Sequence, residues 1–254
     1  MTDEKALAYV NLYGVLAALE NLWELDQEAR RCTAGLKRPV ALCFAVRGGP
    51  CATLHFSAGG CRFVPGEQGC THKMSFSSPA AFNAMINGGK PGWPVKRPLS
   101  TLVFLSGPFT RLTNRLQAVL RPSDQALADR ALFEENTLLT LYVAAGAISA
   151  LANHDPIARL SAAATADGRV RLGVAGRAAV TIEVRDHRFT TVKAALEQPR
   201  AIMEFADLEL AHSLFQGTAS TINELCAGRI RIAGLASMID NINRILGRVS
   251  VYLA

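Results

Sequence analysis

The stretch AIMEFADL, residues 201–208, carries the pattern that decides the fold. Residues 201–205 are rich in side chains that strands favour, and a short helical segment follows them. Downstream, GRIRIAG at residues 228–234 predicts another strand, which leads into an apolar helix. This order of strand, helix, strand and helix predicts an α+β unit, in which helices cover one face of a sheet.

These signals occur twice, because the sequence matches itself when it is shifted by 129 positions. Self-similarity at a fixed offset predicts repeated structural units. Between the matching blocks the register drifts by about one residue, as hairpin loops allow. We therefore predict two copies of one unit, residues 1–121 and residues 122–254. The matching blocks are Leu12-Tyr13 with Leu141-Tyr142, Phe76 with Phe205, Gly88 with Gly217, and Asn114-Arg115 with Asn243-Arg244.

Each copy shows the same order of predicted elements. A helix comes first, amphipathic in copy one and apolar on nearly all sides in copy two. Hairpin-linked strands follow around turns at Gly48-Gly49 and Asp167-Gly168, with one face of the sheet wet. A last strand, Thr101 to Leu105 in copy one and Arg229 to Ala233 in copy two, leads into the final helix. The predicted fold class is α+β, with two similar units that each consist of an antiparallel sheet covered by helices.

Copy two also carries motifs that resemble a known family when they are taken in order. Ile202–Leu208 leads into a short helix that ends at Gly217, and Gly228–Gly234 leads into the apolar terminal helix. This succession resembles the sterol carrier protein type 2 family of lipid-binding proteins, and copy one follows it more loosely. The corresponding stretches of copy one are Phe76-Ser77-Ser78-Pro79, Phe82 to Gly88, and Leu102 to Leu120.

The resemblance implies a fold and a ligand site. The sheet is expected to be twisted and mainly antiparallel, with an apolar tunnel between sheet and helices that takes fatty acids, acyl-CoA or sterols. Apolar side chains line such sites, although the same side chains also form an ordinary packed core, which is the alternative interpretation. The predicted lipid-binding residues are Phe76, Phe82, Met85, Phe104, Phe109, Leu112, Phe205, Leu214, Phe215, Met238 and Ile242.

Basic residues are the candidates for binding a polar head group. Lys96, Arg97 and Arg231 are predicted to attract a carboxylate, a phosphate of acyl-CoA or an anionic membrane surface, at ~1 kcal/mol for each cation. The alternative is a charged, solubilising surface. Copy one departs from the family in its basic loop Gly88–Pro98. The tandem arrangement is also less usual for the family, and it leaves open whether both copies keep a cavity or one has become a structural partner.

The cysteines and histidines predict neither a metal site nor a catalytic one. Cys43, Cys51, Cys61 and Cys70 are separated by seven, nine and eight residues, and no Cys-x-x-Cys pair occurs. We interpret them as small buried thiols, with a metal or redox site as the alternative. No histidine accompanies a nucleophile motif such as Gly-x-Ser-x-Gly, so we expect no catalytic residue and no cofactor.

The composition narrows the class of protein. Of the 254 residues, 50% are hydrophobic and 19% are charged, which excludes a disordered chain. The net charge of +6 is spread along the sequence, which argues against a nucleic-acid partner. The polar start Met1–Lys5 does not resemble a secretory signal, and the apolar run Leu138–Ala152 is shorter than the ~20 residues of a membrane span. We expect a cytoplasmic protein.

Two functions agree with these observations. The first is non-catalytic binding or transport of a hydrophobic ligand (a fatty acid, acyl-CoA or related lipid) in an apolar tunnel, with transient contact to a membrane surface. The alternative is a scaffold or accessory protein that recruits a partner such as an enzyme. In that case the copies pack as a structural pseudo-dimer, and a patch around Trp93 and Pro94 is exposed. We expect either a monomer with internal pseudo-symmetry or a homodimer.

Overall fold

Two units make up the chain, each built around its own β-sheet. The computed structural model describes residues 2–89 and 99–253. The first unit is Met1–Glu135 and the second is Asn136–Ala254, so the division falls inside one helix, whereas the sequence placed it at 121/122. The strands are β1 (Val40–Val46), β2 (Cys51–Ser57), β3 (Gly60–Pro65), β4 (His72–Phe76), β5 (Gly168–Val174), β6 (Ala178–Arg185), β7 (Arg188–Val192), β8 (Ala201–Phe205) and β9 (Ile230–Gly234).

Helices of very different lengths accompany the two sheets. Short segments of other helix types lie between or before the α-helices. They are π-helical at Val10–Val15 and Leu105–Phe109, and 3-10 turns at Leu16–Ala18 and Ala126–Ala128. The α-helices are α1 (Glu4–Tyr9), α2 (Leu19–Leu25), α3 (Gln27–Thr33), α4 (Pro79–Ile86), α5 (Leu99–Phe104), α6 (Thr110–Leu120), α7 (Arg130–His154), α8 (Ala158–Ala163), α9 (Leu208–Phe215), α10 (Thr221–Cys226) and α11 (Ala236–Leu253).

Both sheets are mixed, and the first four strands of each share one topology. The strand order is β3-β2-β1-β4 in the first unit and β7-β6-β5-β8-β9 in the second. All neighbours are antiparallel except β1 with β4 and β5 with β8, which are parallel. The α+β class and the mainly antiparallel sheets are therefore confirmed, with one parallel pair in each sheet.

The registers of the two sheets repeat each other. Leu42 lies opposite Leu54 and Val170 lies opposite Ile182, so the first hairpins correspond at a shift of 128 residues. In the parallel pairs, residues 46 and 76 are neighbours in one sheet, and residues 174 and 205 are neighbours in the other. The shift is thus 129 from the fourth strand of each unit onward. Asp26 and Asp155, before the sheets, also correspond at a shift of 129, so the second unit has one residue fewer before β5 and one residue more in the loop before β8. These two changes account for the drift predicted from the sequence.

The last strand predicted for copy one is wrong. Residues 101–105 lie in a helical stretch, in which α5, a π-helical segment and α6 follow one another directly. A short apolar run cannot be assigned to strand or helix by periodicity alone, and TLVFL is such a run. Its counterpart in the second unit is a strand, because β9 pairs with β8. The prediction for copy two is confirmed.

A buried aspartate begins a helix at the same place in each unit. Asp26 accepts hydrogen bonds from the N–H groups of Glu28 and Ala29, and Asp155 accepts them from Ile157 and Ala158. These are N-cap bonds, which satisfy amides that have no partner inside the helix.

Each of these aspartates also binds an arginine of a later helix of its unit. Arg115 on α6 pairs with Asp26, and Arg248 on α11 pairs with Asp155. The sequence shift matched Arg115 with Arg244, but Arg244 pairs with Asp240 on its own helix. The equivalent arginine of the second unit therefore lies one turn later than the sequence shift indicates.

Helix α7 is the long apolar helix of the sequence. Its length and composition suffice to cross a bilayer, but 72% of its most apolar 18-residue window is buried within the protein. Core helices of globular proteins have this property, as the sequence analysis predicted for Leu138–Ala152.

Gly234 ends β9 in a conformation that only glycine tolerates well, with φ of 82°. A Cβ atom at this position would overlap the carbonyl oxygen of Arg200. We expect Gly234→Ala to destabilise the protein by ~3 kcal/mol or more, because the overlap adds to a backbone strain of about 1–3 kcal/mol. Urea unfolding followed by circular dichroism would measure the loss.

Gly176 provides the matched control for that substitution. Its φ is 67°, yet nothing lies within 4 Å of a Cβ added to it. Gly176→Ala should therefore show the backbone strain alone. Equal losses in the two variants would contradict the role assigned to the Arg200 carbonyl group.

Candidate functional site

An apolar cleft lies between the sheet and the helices of the second unit. Strand alternation places Leu172 of β5 and Met203 and Phe205 of β8 on the same face of the sheet. Helices α7, α9 and α11 supply the other walls. The lining residues are Leu141, Ala144, Ala145, Ile148, Leu172, Met203, Phe205, Phe215, Ile242, Asn243 and Leu246.

Local sequence explains why helix α7 forms one wall. Leu141, Ala145 and Ile148 are spaced by four and three residues, so they share one stripe of the helix. The small side chains of Ala144 and Ala145 leave space in front of the sheet, where larger side chains would close it. This stripe was visible in the sequence as part of the apolar face.

The rim of the cleft is less buried than its floor. Ala144, Phe215 and Leu246 are half-buried, and Asn243 is exposed. Phe215 packs edge-on against Phe205, with ring centroids 5.9 Å apart. Of the lining residues Asn243 alone is polar, and none carries a charge. The site therefore favours an apolar ligand, with one amide for polar contact at the mouth.

The cleft is narrow in this conformation. The cleft encloses a volume of about 20 Å³. Ligand sites for small molecules usually measure ~300–1,000 Å³. The structure thus shows an apolar cleft here, and a bound chain requires its side chains to move apart.

Phenylalanine rings occupy the corresponding space in the first unit. Six rings form a continuous series, with centroids from 5.1 to 6.3 Å apart. Such separations are typical of favourable aromatic pairs. The series contains Phe76, Phe82, Phe44, Phe109, Phe56 and Phe104.

The repeated registers identify which substitutions separate the two units. Phe44 corresponds to Leu172, because each pairs with a methionine on the parallel strand, Met74 and Met203 respectively. The same correspondence relates Phe56 to Val184 and Phe82 to Ala211. Three large rings of the first unit thus become smaller side chains in the second.

The predicted lipid-binding residues fall into separate groups. Phe205, Phe215 and Ile242 line the cleft of the second unit, whereas Leu214 and Met238 are not among its lining residues. In the first unit, Met85 is half-buried and Leu112 is fully buried, while Phe76, Phe82, Phe104 and Phe109 belong to the ring series. No ligand role is tested for any of them, so these assignments stay predictions.

The predicted head-group residues are not gathered at the cleft. Arg231 lies directly opposite Glu204 on the strand pair β8–β9 and forms an ion pair with it, at 3.4 Å. Because side chains alternate along β8, this pair lies on the sheet face opposite Met203 and Phe205. Lys96 and Arg97 lie outside the described residues, as do Trp93 and Pro94.

Sequence reasoning missed much of the cleft. Leu172, Met203 and Leu246 were not assigned to a site, and neither was the pair Ala144-Ala145. The strand residues carried a usable signal, since Leu172, like Phe205, lies on the apolar face of its strand. The alanines carried none, because a small residue marks a space only when its neighbours are known.

One histidine lies near α7 in the second unit. The Nδ1 atom of His212 is 3.4 Å from the hydroxyl oxygen of Thr137. Burial lowers the pKa of His212 below its ordinary value, so the ring is neutral near pH 7.

The fold is α+β, with two mixed sheets covered by helices, and it is similar to that of sterol carrier proteins. The solved structures to which the chain is similar each align over less than half of it. No protein-family profile matches the sequence, and no curated protein matches it.

Three solved structures illustrate the likeness. The UbiJ-SCP2 ubiquinone synthesis protein is 12% identical, with a TM-score of 0.33 over 42% of this chain and 94% of its own. A conserved hypothetical protein of Thermus thermophilus, a candidate sterol carrier protein, is 18% identical, with a TM-score of 0.33 over 43% and 85%. Sterol Carrier Protein 2 Like 2 from Aedes aegypti is 11% identical, with a TM-score of 0.29 over 41% and 94%. At these identities the likeness concerns the fold alone.

Proposed function

We propose that this chain binds a hydrophobic ligand without transforming it, and that the second unit holds the ligand. The ligand class is a fatty acid, an acyl-CoA or a related lipid. The observation that carries the proposal is the uncharged, apolar cleft between sheet and helices, which opens beside Phe215 and Asn243. A reducing, cytoplasmic location for the protein is part of the same proposal.

Burial of an acyl chain supplies the affinity. Each methylene removed from water contributes ~0.8 kcal/mol, so a dozen buried methylenes contribute ~10 kcal/mol. Immobilising the chain and separating the cleft walls offset part of this gain. The remaining free energy corresponds to a dissociation constant of about one micromolar or weaker, since a micromolar constant equals ~8 kcal/mol of binding free energy. The protein therefore needs no covalent step to retain its ligand.

Ligand entry requires movement at the rim. Phe215 and Leu246 are half-buried, so each can rotate away with less loss of packing than a core residue. Met203 on the floor is unbranched, and methionine adapts readily to irregular shapes. These residues allow a narrow cleft to admit a chain without unfolding the sheet.

A structural role is proposed for the first unit. Its interior contains the six-ring series, and at three of these positions, Phe44, Phe56 and Phe82, the second unit has smaller side chains. This filled interior favours the scaffold hypothesis for the first unit only. The first unit would then have a structural role, and the second unit would bind the ligand.

Titration with a fluorescent fatty acid tests the binding function. We expect saturable uptake of one molecule per chain with a micromolar dissociation constant, since the second unit carries the cleft. Native mass spectrometry of protein purified from its host should show an added mass that organic extraction removes. A ligand-free spectrum together with no fluorescent uptake would remove the basis of the proposal.

A further inference from the structure

Two cysteines meet on the sheet face of the first unit opposite the phenylalanine series. The Sγ atoms of Cys43 on β1 and Cys51 on β2 are 3.9 Å apart. Cys43 is fully buried and Cys51 is half-buried. The spacing in the sequence concealed this pair, because the hairpin between the two strands brings the thiols together.

A loop brings a carboxylate to the same place. Thr53, beside Cys43 on the next strand, donates a hydrogen bond to the carbonyl of Gly66 at 2.8 Å and accepts one from the N–H of Gln68 at 3.1 Å. These bonds fix Glu67 between them. A carboxylate oxygen of Glu67 and both sulfur atoms all lie within 4.8 Å of one another.

The strand register argues against a disulfide between these cysteines. Cys43 lies opposite Thr53, and Cys51 lies opposite Ala45, so the two cysteines are diagonal neighbours. Diagonal Cα atoms in antiparallel pairs are ~7–8 Å apart, beyond the usual limit of ~7 Å for a disulfide. Joining the sulfur atoms would require the backbone of two central strands to move.

The same geometry suits a bridging metal ion. Two thiolates bound to a tetrahedral zinc ion at ~2.3 Å stand ~3.8 Å apart, close to the separation of Cys43 and Cys51. Thiolates select thiophilic ions, and zinc accepts a carboxylate oxygen as a further ligand. We propose that Cys43, Cys51 and Glu67 bind one thiophilic divalent ion of the Zn²⁺ class, with solvent in the fourth position.

Binding would release protons. Each thiol loses its proton to solvent as its sulfur coordinates the ion, and the carboxylate of Glu67 forms an ion pair with Lys73, at 2.6 Å. The groups that face Cys43 are Cys51 from β2, Lys73 from β4, and Cys70 with Glu67 from the loop. Affinity for the ion should therefore rise as the pH rises.

A bound divalent ion would also remove the repulsion between the two thiolates. Two adjacent thiolates repel each other unless a cation lies between them, and the ion would supply that cation and keep both thiols deprotonated.

The second unit shows that the fold does not require this cluster. At the shift of 128 residues, Arg171 corresponds to Cys43 and Ala179 corresponds to Cys51. The loop is nevertheless held in the same way, because Thr181 bonds Ala194 and Leu196 as Thr53 bonds Gly66 and Gln68. The thiol pair is therefore an addition to the first unit, independent of the proposed lipid site.

Cobalt titration of the reduced, metal-free full chain tests the proposal. We expect Co²⁺ to produce a thiolate-to-metal charge-transfer band and intense tetrahedral d–d bands at one ion per chain, and Zn²⁺ to displace it. Cys43→Ser and Cys51→Ser should abolish the charge-transfer band. Glu67→Gln should weaken binding ~tenfold or more, and because Glu67 is exposed this variant should fold normally.

Cys226→Ser is the matched control, because Cys226 is exposed and lies in the second unit. It should leave the cobalt spectrum unchanged. The proposal is overturned by a spectrum without thiolate bands, or by bands that persist in Cys43→Ser protein shown to be folded by circular dichroism. It is also overturned if glutathione disulfide oxidises the pair to an intramolecular disulfide while Co²⁺ fails to bind.

Discussion

Replacing Asp155 by alanine is expected to destabilise the second unit by ~3–5 kcal/mol. The side chain is 1% exposed and accepts a hydrogen bond from the Tyr252 hydroxyl at 2.5 Å and one from Arg248 at 3.2 Å. It also caps helix α8. The substitution leaves a guanidinium and a hydroxyl without their acceptor and removes the cap, and each change carries its own cost.

The same aspartate sets a pH dependence. Burial alone would raise the pKa of Asp155. The hydrogen bonds from Tyr252, the N–H of Ala158 and Arg248 outweigh burial and hold this pKa below its ordinary value of 3.8. Because the folded pKa is depressed, the stabilisation is fully present above pH ~4 and is lost as the pH falls through the folded pKa. The difference between wild type and Asp155→Ala should therefore shrink below pH ~4.

The measurement must report on the second unit. Both tryptophans, Trp23 and Trp93, belong to the first unit, so urea unfolding is best followed by circular dichroism and by hydrogen exchange in α8 and α11. Asp240→Ala is the control, because the exposed Asp240–Arg244 pair should contribute less than ~0.5 kcal/mol. Similar losses of stability in the two variants would show that the burial of Asp155 does not cause its large contribution to stability.

A side chain of the first unit, placed at the equivalent position of the second unit, should fill the cleft there. Leu172→Phe places in the cleft the ring that Phe44 supplies in the first unit. We expect fatty-acid affinity to fall at least ~tenfold, because the ring occupies space that the acyl chain needs and the lost contacts are worth more than ~1.4 kcal/mol. Titration with the fluorescent fatty acid would measure the change.

Phe44→Leu is the reciprocal control. Phe44 is fully buried against Phe82 and Phe109, so its truncation should destabilise the first unit by about 1–3 kcal/mol through the cavity that it leaves. Fatty-acid affinity should stay as in the wild type. If Leu172→Phe binds normally while Phe44→Leu binds poorly, the ligand site belongs to the first unit instead.

The sequence predicted the second unit best. The segment from β8 to α11 combines strand residues, a capped helix and two glycines with positive φ, Gly217 and Gly228, so several local signals agree there. Residues 101–105 carried only an apolar run, which both strands and helices contain. In this segment the strand prediction failed, because the helical residues on its C-terminal side extend through it.

The candidate sites depended on distances that no sequence pattern contains. Phe205, Phe215 and Ile242 were predicted because they are large apolar residues at positions where the family resemblance places helices over the sheet. Ala144 and Ala145 shape the cleft because their side chains are small. The sequence alone does not distinguish an alanine that leaves space from one that is present for its high helix propensity. Cys43 and Cys51 depend on the hairpin register, since a slip of one residue would place one thiol on the other face.

Because the offset between the hairpins is constant, the hairpin strands of one copy can be exchanged for those of the other by protein engineering. A chimera that takes β5, β6 and β7 in place of β1, β2 and β3 keeps every cross-strand partner in line. A graft that continues into the fourth strand must carry the extra loop residue, or its inward-facing side chains turn toward solvent. The loop before that strand is therefore the natural recombination point of the chain.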